Sequence, residues 1–223
     1  MKSDRNDTVE RILRSAEIVF AVHGYHATSI RDVTEHAKAN LAAINYHFGD
    51  KEGLYSALIS NLLKPMNAER MERLDHAAAL AGNRPIPLPL IIDIFASPIF
   101  RLSRRDGSKV NHALRLLGRC LIEPLPFLDC VLATEFHPVI NRFAQEIRRH
   151  LPNLPPDEFM WRLNYVVGAM HHSLANSHRM SELTSGLCKN SEPEKELRQF
   201  VHLAVSTLIA VPLAGHRPIN DSL

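Results

Sequence analysis

Residues Thr28–Lys51, TSIRDVTEHAKANLAAINYHFGDK, hold two short helical patterns separated by a break. Thr28 carries a hydroxyl suited to capping a helix, because it can accept from the first free amide groups. Ile30, Val33, Thr34 and Ala37 then follow at helical spacing. The pattern breaks at Lys38-Ala39-Asn40. Asn40 can cap a second helix, Leu41 to His47, whose Leu41 and Ile44, with Phe48, are expected to face inward. Two short helices joined by a tight turn have the geometry of a helix-turn-helix.

If the second helix enters a major groove, its first residues reach base edges. Asn40, Leu41, Ala42, Ala43 and Asn45 are therefore the candidate readers. Asn45 stands out among them, since a carboxamide pairs with adenine through two hydrogen bonds. Ala42 and Ala43 offer only methyl contact to thymine and room for close approach. Tyr46, His47 and Lys51 suit phosphates, whose oxygens accept from a phenol, an imidazole or an ammonium. The helix starts at Thr28-Ser29 and Asp50-Lys51 point free amide groups the same way, with Asp50 read as a cap.

The residues Ala21…Gly24-Tyr25…Thr28-Ser29-Ile30-Arg31-Asp32-Val33…Ala37…Asn45-Tyr46-His47-Phe48-Gly49-Asp50-Lys51-Glu52…Leu54 resemble the N-terminal domain of TetR-family transcriptional regulators. The resemblance covers about the first quarter of the chain and fixes several positions in order. Members usually have Gly and Val in the turn where this chain has Lys38 and Ala39, and Tyr where it has Asn45. The turn conformation and the base preference are where this chain is expected to differ. The resemblance implies an all-α protein: an N-terminal three-helix helix-turn-helix domain, residues 1–52, joined by a shared helix to a larger helical ligand-binding and dimerisation domain, residues 53–223.

Composition alone does not identify a DNA binder. The formal net charge is +2, and residues 1–51 hold seven Lys/Arg against seven Asp/Glu, so the motif carries the assignment. No apolar run approaches the roughly 20 residues needed to cross a bilayer. The charged start, Met1-Lys2-Ser3-Asp4-Arg5-Asn6-Asp7, lacks the apolar segment of a signal peptide, so a cytoplasmic location and no membrane partner are expected. Cys120, Cys130 and Cys188 are odd in number and form no CxxC pair, which argues against a disulfide framework or a zinc finger.

Outside the central stretch, Asp7-Thr8-Val9-Glu10 reads as a capping box. It opens a first helix whose stripe Ile12, Leu13, Ala16, Val19 and Phe20 ends at Gly24, a residue able to take the left-handed conformation that follows a helix. A fourth helix from Lys51 carries Leu54, Tyr55, Leu58 and Leu62, with a bend expected at Pro65. Apolar helices follow from Leu90 to Leu102 and from Val110 to Leu121. A further amphipathic segment, with Phe136 and Phe143, ends near His150. Arg115 lies between apolar neighbours. It either faces outward or anchors an acidic ligand group, since a guanidinium grips a carboxylate with two bonds. The candidate ligand residues are Phe95, Phe100, Arg115, Phe136, Phe143 and Met170.

The helix from Asp157, with Pro156 in its first turn, has apolar residues on two sides, Trp161 and Tyr165 on one of them. The last helix runs from about Glu194 to Val211. Trp161, Tyr165, Gly168, Leu197, Val201, Ala204 and Leu208 are the expected homodimer face, and a two-fold dimer presents two readers to a near-palindromic double-stranded operator. The reader and the segment Leu154–Met170 are similar to a TetR subgroup tied to fatty-acid metabolism. That similarity implies a fatty acid or acyl-CoA as the small-molecule effector.

Three other readings compete. His171, His172 and His178 with Cys188 suggest a metal- or redox-responsive regulator, but the spacing lacks His-x3-His or Cys-x2-Cys. A helical enzyme is disfavoured because no GxSxG, HExxH, Walker A or GxGxxG pattern is present. An architectural DNA binder without an effector leaves the large apolar C-terminal region without a role. No cofactor and no metal are expected.

Overall fold

The computed structural model describes residues 2–102, 112–175, 181–187 and 193–212. Its elements are α1 (Lys2–Ala27), α2 (Ile30–Ala37), α3 (Leu41–Phe48), α4 (Lys51–Ala81), α5 (Leu88–Leu102), α6 (His112–Ile122), a 3-10 turn (Pro126–Leu128), α7 (Asp129–Arg148), α8 (Pro156–Ala175) and α9 (Pro193–Ile209). Among the described residues there is no strand. The all-α expectation holds, and Pro156 stands at the first position of α8 as its fixed φ favours. Val110, His178 and Cys188 lie outside the described residues.

The chain forms two compact units. The first comprises Met1–Met71 and Arg101–Ile140, the second Glu72–Phe100 and Asn141–Leu223. In the first, α1 starts at Lys2, so Asp7 is inside the helix and is not its N-cap. The Asp-x-x-Glu pattern is not decisive there, because the preceding residues continue the helix. Ile12, Ala16, Val19 and Phe20 are buried as the spacing predicts. Gly24 breaks the helix with φ 82 and ψ 169, an extended positive-φ conformation that a Cβ disfavours. Phe20, Tyr25, Tyr55 and Phe127 build an aromatic cluster beside the break, with Tyr25 and Phe127 centroids 4.9 Å apart.

Helix α4 runs through Pro65, with Leu54, Tyr55, Leu58 and Leu62 all buried. Asn67 donates at 2.7 Å to the carbonyl of Glu135, three residues before Pro138 inside α7. A proline weakens the helical bonding of the carbonyls one turn before it, and the carboxamide supplies a donor there. Ser60 donates to the Glu135 carboxylate at 2.7 Å, completing the α4–α7 pairing.

In the second unit Phe95 packs on Phe143 and Phe100 on Phe200, with centroids 5.2 and 5.7 Å apart. Helices α8 and α9 pack together and are joined by Arg162, which is buried. Its Nη1 donates to the carbonyls of Leu208 and Ala210 at 2.6 and 2.7 Å. Its Nη2 bonds Glu158 at 2.6 Å and the carbonyl of Val211 at 3.1 Å. The last carbonyls of α9, orphaned by the end of the helix, are thus satisfied by a charge that also suits the negative end of the helix dipole.

One expectation for the C-terminal helices is corrected. Ala204 and Leu208 are 0% exposed and so pack inside their own chain and not on a seam, while Leu197 and Val201 are half-buried. On α8, Phe159, Val166 and Met170 point inward, while Trp161 and Tyr165, rings 5.8 Å apart on the helix's second apolar side, are each 59% exposed. Gly168 is exposed too. Of the two readings of Arg115 the outward one holds: it is exposed on α6, because its neighbours Leu114, Leu116 and Leu117 take the buried positions. It therefore does not project into an apolar interior.

Candidate nucleic-acid interface

Local chemistry sets where α2 and α3 begin and end. Ser29, not Thr28, caps α2. The Ser29 hydroxyl accepts from the Asp32 amide at 3.2 Å, and the Asp32 carboxylate accepts from the Ser29 amide and hydroxyl at 2.7 and 2.8 Å, a reciprocal capping box. Those bonds from Ser29, backbone first, hold the Asp32 carboxyl below its ordinary value. Thr28 is only 2% exposed and donates to the Gly24 carbonyl at 2.8 Å, so its hydroxyl is turned inside and unavailable to a phosphate. The two hydroxyls are adjacent in sequence, and spacing alone does not say which one begins the helix.

Lys38 ends α2 in the left-handed conformation, φ 48 and ψ 44. Its amide bonds the carbonyls of Thr34 and Glu35, and the Ala39 amide bonds Thr34 at 3.0 Å, which closes the turn as a Schellman motif does. Asn40 caps α3 as expected, its Oδ1 accepting from the Ala43 amide at 2.7 Å, which leaves its Nδ2 to donate outward. Asp50 caps α4 through the Gly53 amide at 2.8 Å.

Helix α3 is held by Ile44, which is fully buried, and presents Leu41, Ala42, Asn45 and Tyr46 to solvent. Leu41 is 51% exposed, contrary to the inward position that spacing suggested. At the first position of an eight-residue helix it lies beyond the reach of the core below. Ala43 and His47 are half-buried, and the His47 ring lies against Tyr46 at 4.9 Å. Lys51 opens α4 with its ammonium 4.3 Å from the Tyr25 ring centroid. Burial pulls its pKa down while the Asp32 charge pushes it up, with a net lowering.

A short helix with capped ends that turns Ala42, a carboxamide and a phenol outward fits a DNA groove. The comparisons with known proteins agree. Residues 12–58 match the model of bacterial regulatory proteins of the tetR family, and residues 93–206, over half of the chain, match the Tetracyclin repressor-like C-terminal domain. The chain belongs to the TetR family. As a TetR-family member it is a transcriptional regulator. It is similar to the HTH-type transcriptional repressor Rv3405c of Mycobacterium tuberculosis, 35% identical over 81 residues, 36% of this chain and 40% of that one. It is also similar to the HTH-type transcriptional repressor AcnR of Corynebacterium glutamicum, 43% identical over 49 residues, 22% of this chain and 26% of that one. The chain thus matches well under two-thirds of the length of these curated relatives.

Solved structures share the fold. A putative tetR family transcription regulator from Shewanella sp. PV-4 superposes with a TM-score of 0.59 at 15% identity, covering 88% of this chain and 97% of that one. A putative TetR-family transcriptional regulator from Mesorhizobium loti gives 0.58 at 14% identity, covering 92% and 96%.

The candidate ligand residues of this TetR-family chain divide between the units. Phe95, Phe100, Phe143 and Met170 belong to the second, where Phe100, Phe143 and Met170 are buried. Arg115 and Phe136 belong to the first, Phe136 half-buried and Arg115 exposed. Sequence reasoning missed Arg162, which sits in Met-Trp-Arg-Leu-Asn much as Arg115 sits in Ala-Leu-Arg-Leu-Leu. No signal in the sequence separates the two. Cys120 is buried, and burial first among the causes pushes its thiol up to about 12, so it stays protonated. Among the described residues no group of three or more His, Cys, Asp or Glu is placed to hold a metal ion, and no helix is long and apolar enough to cross a membrane.

Proposed function

We propose that the chain is a homodimeric, effector-responsive repressor. Residues 1–52 bind a near-palindromic double-stranded operator, and residues 53–223 hold the effector and the dimer seam. The observation that carries the reading is the outward face of α3, where Asn40, Leu41, Ala42, Asn45 and Tyr46 stand clear of the core that Ile44 anchors. Asn45 reads a base edge, Ala42 and Ala43 allow close approach, and Ser29, Tyr46, His47 and Lys51 position the backbone. The seam is the outward side of α8 and α9, with Trp161, Tyr165 and Gly168 on one helix and Leu203 and Ile209 on the other. Exposed aromatic side chains of this size are favoured at interfaces between copies.

The effector is a small apolar or acyl molecule. The subgroup resemblance makes a long-chain fatty acid or acyl-CoA the class to try first, with Phe95, Phe100, Phe143 and Met170 as apolar lining. An effector that prefers one arrangement of the two readers shifts the population toward it, and operator DNA weakens effector binding by the same factor. A coupling of about 1–3 kcal/mol gives roughly 5–150-fold release.

Fluorescence anisotropy on the chain's own upstream DNA and on a scrambled control, at one stated salt concentration, tests the reading. Specific binding reversed by a long-chain acyl-CoA supports both halves. Specific binding indifferent to it keeps the regulator and removes the effector class. Equal affinity for the upstream DNA, for operators selected from a random pool and for the scrambled control sinks the proposal of an operator reader.

A further inference from the structure

We propose that Arg119 is a positioning residue of the DNA reader, acting from α6 by fixing the backbone break at Gly24 from which α2 is launched. The inference rests on the DNA-binding reading above and adds a residue outside α2 and α3 to it. The break itself is unusual backbone, with φ 82 and ψ 169 inside an otherwise continuous helical run. A side chain at position 24 would collide with Arg119 Nη1 and come within 3.3 Å of Arg119 Cζ and 3.6 Å of Glu123 Oε1. The guanidinium therefore occupies the space that glycine leaves.

The guanidinium is held from behind. Glu123, one helical turn on, accepts from Arg119 Nη1 at 2.8 Å, and both side chains are about three-quarters covered, at 28% and 24% exposure. The other carboxylate oxygen, Glu123 Oε2, is buried with no hydrogen-bond partner among the described residues, so Arg119 is the group that compensates this charge. On the reader side, the Gly24 carbonyl accepts from the Thr28 hydroxyl at 2.8 Å, and Thr28 immediately precedes Ser29, the cap of α2. Four groups, Glu123, Arg119, Gly24 and Thr28, thus run from α6 to the first residue of the reader. The Tyr25 ring is fixed separately by Phe127 and Tyr55. Ring packing locates that side chain, while Arg119 sets the path of the backbone one residue earlier.

The test uses the full chain, with an operator chosen by selection from a random pool, and compares Arg119→Met, Arg119→Lys and Glu123→Gln with wild type. Methionine keeps part of the apolar stem and loses the fork. Arg119→Met is expected to weaken operator binding about tenfold or more while the chain remains folded at the assay temperature by circular dichroism. Arg119→Lys, which restores the charge but not the planar group, is expected to fall between the two. A readout independent of DNA is the pair of methyl resonances of Ala42 and Ala43 on α3, expected to shift in DNA-free Arg119→Met. A folded Arg119→Met chain with wild-type affinity and unmoved Ala42 and Ala43 methyls overturns the proposal. If the wild type selects no operator, the DNA-binding reading fails by itself, and the methyl resonances still decide whether Arg119 positions α3. If Arg119→Met does not fold, Glu123→Gln carries the same two measurements, and no change in either overturns the proposal.

Discussion

Asn45 is the residue whose identity should matter most to base preference. It is exposed on α3, on the outward side from the buried Ile44. Replacing it by Ala removes a carboxamide able to pair with adenine in two bonds, a contact worth about 1–3 kcal/mol of discrimination. Asn45→Ala should therefore flatten a competition series of single-base operator variants at one position and leave non-specific affinity little changed; an unflattened series would reassign the reader. Lys38 makes a prediction of the opposite sign. A non-glycine residue in the left-handed conformation is strained, and glycine relieves that strain at some cost in chain entropy. Lys38→Gly should raise stability by about 0.5–1 kcal/mol, seen as a higher urea midpoint at constant slope. At this scale the sequence was legible where the chemistry is local. Asn40 and Asp50 cap as their positions suggest. It was ambiguous by one residue at Thr28-Ser29, where two hydroxyls compete. It was silent on Arg115 against Arg162, because which arginine turns inward depends on what packs opposite, and no local pattern encodes that.

Between elements, the buried Arg162 ties the end of α9 to α8. Arg162→Ala would remove the arginine's bond to the buried Glu158 carboxylate and its bonds to four carbonyls at the end of α9. Breaking a buried pair on one side costs about 3–5 kcal/mol. The expected result is a large loss in urea stability together with earlier proteolytic cleavage near the end of α9; a loss below about 1 kcal/mol would show that water replaces the arginine. A contact within α7 and the turn after it is pH-dependent. Burial pushes the Glu146 carboxyl up, but hydrogen bonds and charges from Arg142 at 2.5 Å and Arg149 at 3.0 Å outweigh it, so in the folded chain it titrates below its ordinary value. A carboxyl lowered by folding stabilises fully above its unfolded pKa, about 4.3, and loses that contribution as pH falls through the folded value. Glu146→Gln should be less stable than wild type near neutrality, and the gap in urea midpoints should close below pH 4. Helical spacing revealed that α9 has an apolar stripe, Leu197, Val201, Ala204 and Leu208, but not what covers it. A stripe buried in its own chain and one buried in a partner have the same period, so only packing tells them apart.

For the whole molecule, regulation as proposed needs two readers held together, and the side chains left over after internal packing indicate where they are held. Trp161 and Tyr165 are exposed at i and i+4 on α8. In a two-fold interface each residue meets the partner patch twice, so one charge placed there appears as two, close together and desolvated. Trp161→Glu should shift the chain from dimer to monomer in sedimentation velocity at low micromolar concentration. Leu80→Glu, at an exposed leucine of α4 outside that face, should leave the sedimentation unchanged. The same variant also tests why a dimer is needed. Joining two half-site contacts makes the second one intramolecular, which raises affinity by about 10²–10⁴-fold without any new contact. Trp161→Glu should lose affinity of that order for a two-half-site operator while binding an isolated half-site as wild type does, because α3 is untouched. Dissociation with unchanged operator affinity would mean that a single reader suffices, and a Trp161→Glu chain that stays dimeric would move the seam off α8.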